Sequence, residues 1–347
     1  MIELEKLVRK NILGMRTIAN TLSIYKRNEK KIFLDGNENP YNTPVNRYPD
    51  PYQNEVKKKL SKIKGIIPEC IFLGNGTDEI IDIIYRCFCE PLRDNVVAIE
   101  PTYNMFRTFA DINNVNYRSV PLDSNFQISA EKILTSCDIN TKIIWMCSPN
   151  NPTGNNLDRE EMYSIAKKFQ GLVIIDEAYS DFSKQKSMIY EIDECPNLII
   201  LNTFSNSWGC AGLRIGIAYA HPNIISILNK IKLPYNISSL AQEKVLHELN
   251  NKWEKDKWVN IITMERERMT EAFKLLSTCE KVYPTDANFF LAKMKNANAV
   301  YNYLKTNSII VKNMSNVSLC ENCLRISIGS KSENSELLSV LRQYENK

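Results

Sequence analysis

The run KIIWMCSPNNPTG, Lys142 to Gly154, decides how the chain is read. An apolar stretch of strand length stops at a loop with two prolines and two adjacent asparagines. The amphipathic segment DREEMYSIAKKF (158–169) and the apolar, branched run LVIIDEA (172–178) follow. Strand, turn, 3.6-period helix, strand is the repeating unit of an α/β domain with a mostly parallel sheet. The rhythm extends both ways over about residues 70 to 220: CIFLG then TDEIIDIIYRCF, NVVAIE then TYNMFRTFADI, VNYRSV, LIILNT and RIGIAYA. Ligands of such sheets gather at the carboxyl ends of the strands, so the residues that close each apolar run are the candidates for chemistry.

Beyond this region a long amphipathic segment, roughly 237–277, gives way to NFFLAKM, AVYNYLKTN, SIIVKN, CLRISIG and SENSELLSVLRQY. That alternation reads as a second, smaller α+β domain. The first residues, to about Asn46, read as extended after a short helix, because NENPYNTPVNRYPDP is rich in turn formers. The expected division is an N-terminal arm contributing to the small domain (1–46), a large domain (47–250) and a small C-terminal domain (251–347).

Composition narrows the function. With 347 residues, 44% hydrophobic and 24% charged, the chain is an ordinary globular protein with room for a sizeable core. The opening MIELEKLVRK has no continuous apolar core and no later run approaches a membrane span, so a cytoplasmic protein without membrane association is expected. Ten cysteines are scattered along the chain, and no second CxxC completes Cys320 and Cys323. His221 and His247 have no ligand partner at helical spacing, so free buried thiols are expected and no metal. Two histidines also disfavour Ser-His-Asp or Cys-His catalysis. The net charge of +4 is spread over mixed runs such as KRNEKK, which read as solvated faces and not as a nucleic-acid surface.

Five constellations lie at ends of the apolar runs. In LGNGTDEII (73–81), Gly74, Asn75 and Gly76 lead into Thr77 and Asp78 at a helix start, which suits a phosphate or simply a tight turn with Thr77 or Asp78 as N-cap. It lacks the third glycine of GxGxxG, which argues against a nicotinamide dehydrogenase. In CSPNNPTG, Asn150 and Asn151 stand where side-chain amides can meet a ligand, or form only a loop. Asp176 and Glu177 end a strand that reads as buried on both faces, where a carboxylate calls for a cation: a basic side chain, a metal or a protonated heterocycle. TFSNSWGCAGLRIG (203–216) offers Thr203, Ser205 and Arg214 to an anion, with the unreactive Asn206 at its centre. Arg325 of CLRISIG lies inside an apolar run and calls for an anion, either a structural acid or a substrate carboxylate.

Taken in order, GNGTDE, PTYNMF, SPNNPTG, DEAYSDF, SNSWGCAGLRIG and CLRISIG resemble the pyridoxal-phosphate aminotransferases of fold type I. Among these, LDGNENPYN with NRYPDP, CFCEPLRDNVVAIEPTY and KLPYNIS are similar to the histidinol-phosphate aminotransferase family, from about Asn11 to the C-terminus. The resemblance implies a large domain with a mostly parallel seven-stranded sheet plus a smaller α+β domain, and pyridoxal 5'-phosphate as cofactor. It implies an amino donor and a 2-oxo acid as substrates, in histidine biosynthesis, and a homodimer with shared sites. Carried over by position, Gly76, Thr77, Asp78, Thr203, Ser205 and Arg214 correspond to the cofactor-phosphate site. Tyr103 corresponds to the ring that stacks on the pyridine, Asn151 and Tyr179 to donors to its phenolic oxygen, and Asp176 to the partner of its ring nitrogen. Tyr48 corresponds to a tyrosine that reaches the neighbouring subunit's cofactor phosphate. Asn37, Lys312 and Arg325 correspond to substrate-binding positions.

Three departures stand out. Asn206 occupies the place of the Schiff-base lysine, which both links to the cofactor and moves the substrate proton. No lysine occurs between Lys186 and Lys230. The segment Gly14-Met15-Arg16 lacks the family's tyrosine, and Lys312 stands where an arginine is usual, which keeps the charge but loses the bidentate fork. The expectation is an aminotransferase crippled at one position. The alternatives are a repurposed cofactor-binding relative, or a related amino-acid aminotransferase or decarboxylase.

Overall fold

The computed structural model describes residues 4–15, 32–41 and 43–346. Seven strands form the main sheet: β1 (Ile71–Asn75), β2 (Asn95–Glu100), β3 (Asn116–Pro121), β4 (Thr141–Cys147), β5 (Leu172–Asp176), β6 (Leu198–Thr203) and β7 (Ile215–Ala220). Their order is β1-β7-β6-β5-β4-β2-β3. All pairings are parallel except those of β7, which runs against both β1 and β6.

The apolar runs are explained by burial on both faces. Along β4 and β5, Ile144, Met146, Val173 and Ile175 enter one core, while Ile143, Trp145, Leu172 and Ile174 enter the core on the other side. Every residue of β5 is buried. A period of two with apolar side chains on both faces is what a sheet covered by helices on each side demands. Full burial of each such side chain contributes roughly 1.5–3 kcal/mol.

A second sheet, β10-β11-β9-β8, is antiparallel and comprises β8 (Cys279–Val282), β9 (Phe289–Met294), β10 (Lys312–Asn313) and β11 (Cys323–Ser327). It has its own core of Phe290, Leu324 and Ile326 with Met269, Phe273, Leu304 and Leu341 from the helices that cover it. The amphipathic segment after residue 237 is two helices, Ser239–Asn250 and Lys252–Lys274, with Asn251 between them. The arm begins with two short helices, Leu4–Leu7 and Lys10–Leu13, and residues 32–41 carry no regular element. Arg16 and the rest of 16–31 lie outside the described residues. Among the described residues no helix is long and apolar enough to cross a membrane. The ten cysteines are free thiols.

One close approach fixes the helix that starts at Gly76 against the sheet. Gly74 and Gly216 are cross-strand partners, and a Cβ on Gly216 would lie 2.5 Å from the Gly76 carbonyl carbon, which is backbone and has no room to yield. The substitution Gly216→Ala is expected to lower unfolding free energy by ~1–3 kcal/mol through overpacking. Urea denaturation checks it: the midpoint falls while the m-value stays that of the native chain.

Candidate active site

Five parallel-running strands and the reversed β7 bring their ends to one edge of the main sheet. β1 delivers Thr77 and Asp78, β2 delivers Tyr103, and β4 delivers Cys147 and Asn151. β5 delivers Asp176 and Tyr179, β6 delivers Thr203, Ser205 and Asn206, and β7 begins just after Arg214. All of these, with Ala178, line a single cleft of about 170 Å3. The register explains the convergence, since Cys147 pairs with Asp176, Asp176 with Leu201, and Thr203 with Gly216.

On the β1 side, the helix Gly76–Phe88 starts with Asn75 as N-cap, so Asp78 and Thr77 are inside its first turn and neither is the cap expected. The cap side chain makes no capping bond. Instead, the Glu79 carboxylate accepts the Asn75 N–H at 2.5 Å. Asp78 accepts the Tyr103 hydroxyl at 3.1 Å and is paired with Arg214 at 3.4 Å. Its carboxylate therefore orients two neighbours and does not itself offer a donor to an anion. Arg214 adopts a left-handed backbone (φ 53°), and its guanidinium lies over Gly76, where a Cβ would come within 2.7 Å of Nη2. Gly76 is thus required by Arg214. The strained arginine conformation, which costs on the order of 1–3 kcal/mol, is the kind that surrounding structure sustains at functional sites.

Across the cleft, the Thr203 hydroxyl donates to Ser205 Oγ at 3.0 Å and accepts the Ser205 N–H at 3.0 Å. Asn206 Nδ2 donates to the Ala178 carbonyl at 3.2 Å. Ser207 donates to Asp181, which Lys255 also pairs at 3.3 Å. Among the described residues, neither a lysine nor a histidine lines the cleft.

The floor of the cleft is a buried carboxylate. Asp176 is 4% exposed, and its hydrogen bond is with the Ala178 N–H at 2.9 Å. No basic side chain among the described residues pairs with it, so of the cations its position calls for, a structural ion pair is the one the fold does not supply. Burial pushes its carboxyl up to about 7, Asp78 and Glu177 add to the rise, and the Ala178 amide opposes it. Glu177, also buried, faces the other way and is satisfied by the Ser187 hydroxyl and the Met188 N–H. Burial raises the Tyr103 and Tyr179 hydroxyls well above the usual range, so both are neutral donors at physiological pH.

The two asparagines of CSPNNPTG separate. Asn150 turns inward, fully buried, bonding to the Pro101 carbonyl, Thr102 and Thr153, and so takes the structural one of its two expected readings. Asn151 faces the cleft: its Nδ2 donates to the Tyr179 hydroxyl at 3.3 Å, and its Oδ1 accepts from Arg325. Arg325 therefore meets an amide oxygen and, at 5.3 Å, the ring of Phe289; among the described residues no carboxylate pairs with it, so the structural acid, one of its two expected partners, is not found. Lys312 is its cross-strand partner, so the two basic side chains leave the small sheet on the same face. Gly76, Arg325, Lys312, Asn37 and Tyr48 do not line the cleft, although Gly76 and Arg325 touch residues that do. The Tyr48 ring stacks on Tyr235 at 4.5 Å. Cys147 and Ala178, which line the cleft, and Phe289, which packs edge-on to Tyr179 beside it, are contributors that reading the sequence missed. The first two adjoin the motif residues, while Phe289 gave no signal beyond a strand pattern.

Residues 28–341 match the family described as aminotransferase class I and II. The chain belongs to that family. A histidinol-phosphate aminotransferase of Bacteroides thetaiotaomicron is 51% identical over 342 residues, covering 99% of each chain. The crystal structure of the histidinol-phosphate aminotransferase from Clostridium acetobutylicum superposes with a TM-score of 0.81 at 24% identity, over 87% of this chain and 91% of that one. That from Sinorhizobium meliloti, in complex with pyridoxal-5'-phosphate, superposes with 0.78 at 22% identity, over 86% and 83%. These neighbours share the seven-stranded fold type I architecture that the sequence of this aminotransferase implied.

The isolated carboxylate makes a pH prediction for the cofactor-free aminotransferase. Its native value, about 7, lies above the ordinary value of an aspartate in an unfolded chain, about 4, so between these the native state holds more proton than the unfolded one. The contribution is complete below about pH 4 and is lost as pH rises through 7, at on the order of 1 kcal/mol per pH unit. Urea titrations of Asp176→Asn across pH 4 to 7 should lack this component of the slope. An unchanged slope would contradict the assignment.

Proposed function

We propose that this aminotransferase binds pyridoxal 5'-phosphate in the cleft and works on histidinol phosphate with 2-oxoglutarate, at a turnover limited by Asn206. The observation that carries the reading is Asp176, a buried carboxylate without a cation at the centre of a ring of donors. A protonated ring nitrogen is the partner this group lacks, and ionising Asp176 against that charge reverses the cost of its burial.

The donor set fits the remaining parts of the cofactor. The Thr203 and Ser205 hydroxyls, Arg214 and the N–H groups at the helix start by Thr77 suit a phosphate. Tyr103 offers its ring face, and its hydroxyl is held by Asp78. Asn151 and Tyr179, in contact with each other, suit an oxyanion. When bound, the cofactor supplies an electron sink for the carbanion formed at the substrate Cα.

This chain's side chains do the rest. Arg325, steadied by Asn151 and Phe289, binds a substrate carboxylate. Lys312, on the same face of the small sheet, offers a point charge to the distal phosphate or carboxylate. Tyr48 is directed to Tyr235 and not to its own cleft, which suits service to a second copy in a homodimer. Asn37 lies on the exposed segment before it, with a left-handed backbone suited to a closing turn over the substrate. The missing function is proton transfer at the substrate Cα. Asn206 can donate a hydrogen bond but cannot take up a proton, and Tyr103 and Tyr179 are held neutral. Loss of a general base costs ~10²- to 10⁴-fold.

The absence of a lysine or histidine from the cleft lining among the described residues also favours a second reading, a binder of the cofactor without turnover. Asn206→Lys separates the two. The native chain should bind the cofactor without a borohydride-trappable link. The variant should show a new visible absorption band, become trappable, and gain at least ~10²-fold in transamination of histidinol phosphate. A variant that is trapped but leaves histidinol phosphate and 2-oxoglutarate untouched would remove the substrate assignment. One that is not trapped would remove the role given to position 206.

A further inference from the structure

Behind the cofactor-facing loop lies a second cavity, of about 200 Å3, separated from the cleft by the segments Ala178–Asp181 and Asn202–Trp208. Lys64, Lys252 and Lys255 line it, together with Asp181 and Tyr219. The Tyr219 side chain is 1% exposed, and its hydroxyl has no hydrogen-bond partner among the described residues, which is costly for a buried polar group. Lys252 and Lys255 occupy the first turn of the helix Lys252–Lys274, whose N-cap, Asn251, makes no side-chain capping bond. That end of a long helix favours negative charge.

The charges do not cancel. Lys255 pairs with Asp181 and Asp256, and Lys252 pairs with Asp256. Lys64, at the last position of the helix Asn54–Lys64, makes no ion pair among the described residues, and its field reaches Asp181 and Glu177 only through space. One cation is therefore in excess beside an unsatisfied hydroxyl donor.

We propose that this cavity is a second anion site, taking a small metabolite that carries phosphate or several carboxylates. Lys64 and Lys252 meet its charge, and the Tyr219 hydroxyl donates to one of its oxygens. The volume is below the ~300–1,000 Å3 of drug-sized pockets, which limits the ligand to a few carbons. Asp181 faces the site as the one repulsive group, held off by Lys255 and Ser207. Because Asp181 also holds Ser207, next to Asn206, an anion drawing on Lys255 acts on the loop that forms the cofactor-phosphate cradle. Any coupling between the two sites is reciprocal.

The test uses protein saturated with pyridoxal 5'-phosphate, so that the cradle in the cleft is filled. Calorimetric titrations with inorganic phosphate and, separately, citrate should find, for at least one of them, a site per chain beyond any at Arg325 and Lys312, and the pair of probes distinguishes phosphate from carboxylate ligands. Lys64→Met should weaken binding about ten-fold and Tyr219→Phe about five-fold, consistent with the loss of one charged or one neutral hydrogen bond. Lys312→Met, in the substrate region, should leave it unchanged. The site is refuted if neither anion binds at about 10 mM, a concentration well above a millimolar constant. It is equally refuted if binding survives both Lys64→Met and Tyr219→Phe, or is lost in Lys312→Met. A result of that kind leaves the reading of the cleft intact, since that reading rests on the Asn206→Lys experiment.

Discussion

A carboxylate at the end of a fully buried central strand, with one backbone amide for a partner, sets the terms for everything around it. Asp176 is unfavourable where it stands unless it stays protonated or meets a cation. The apolar alternation of β4, β5 and β6 makes the strand ends rigid and dry, and so makes the group's isolation possible. The same rigidity fixes where each neighbouring loop leaves the sheet. The chemistry of the cleft is thus a consequence of how the core is packed.

Much of this was legible in the sequence because burial on both faces leaves an unmistakable mark. LVIID, LIILN and IIWM are too apolar and too branched to be anything but interior strands, and the polar residue that ends each of them stands out. Asn151, Asp176, Thr203, Ser205 and Arg214 stand out this way and Tyr179 through the family resemblance, and the structure gathers them. Other details depend on the path of a side chain after the strand ends, which residue type does not encode. Asn150 and Asn151 are chemically identical neighbours, yet one points into the core and the other into the cleft. Residue type alone does not separate Glu177 from Asp176; in the fold Ser187 and Met188 satisfy Glu177. An arginine inside an apolar run calls for a structural acid or a substrate carboxylate, and residue type does not choose between them; within the fold Arg325 has an amide oxygen and an aromatic face and no acid among the described residues.

The sheet also separates two kinds of positive charge. In the cleft, Arg214 is an oriented guanidinium held by Asp78 above a glycine. Behind the loop, the cations are lysines on flexible stems in a small polar cavity. An oriented fork suits a ligand that must be placed for reaction, whereas point charges suit one that has only to be retained.

The ends of the loop that carries Asn206 are pinned independently of that residue: Thr203 is paired across the ladder with Gly216, and Gly216 is pressed against the backbone at Gly76. The receptacle and the reactive group are therefore separable traits. A change confined to position 206 therefore leaves the receptacle undistorted, because the contacts that shape it belong to the sheet and its core. Such a chain keeps the means of holding a cofactor for as long as it keeps its core, whatever side chain stands at that position.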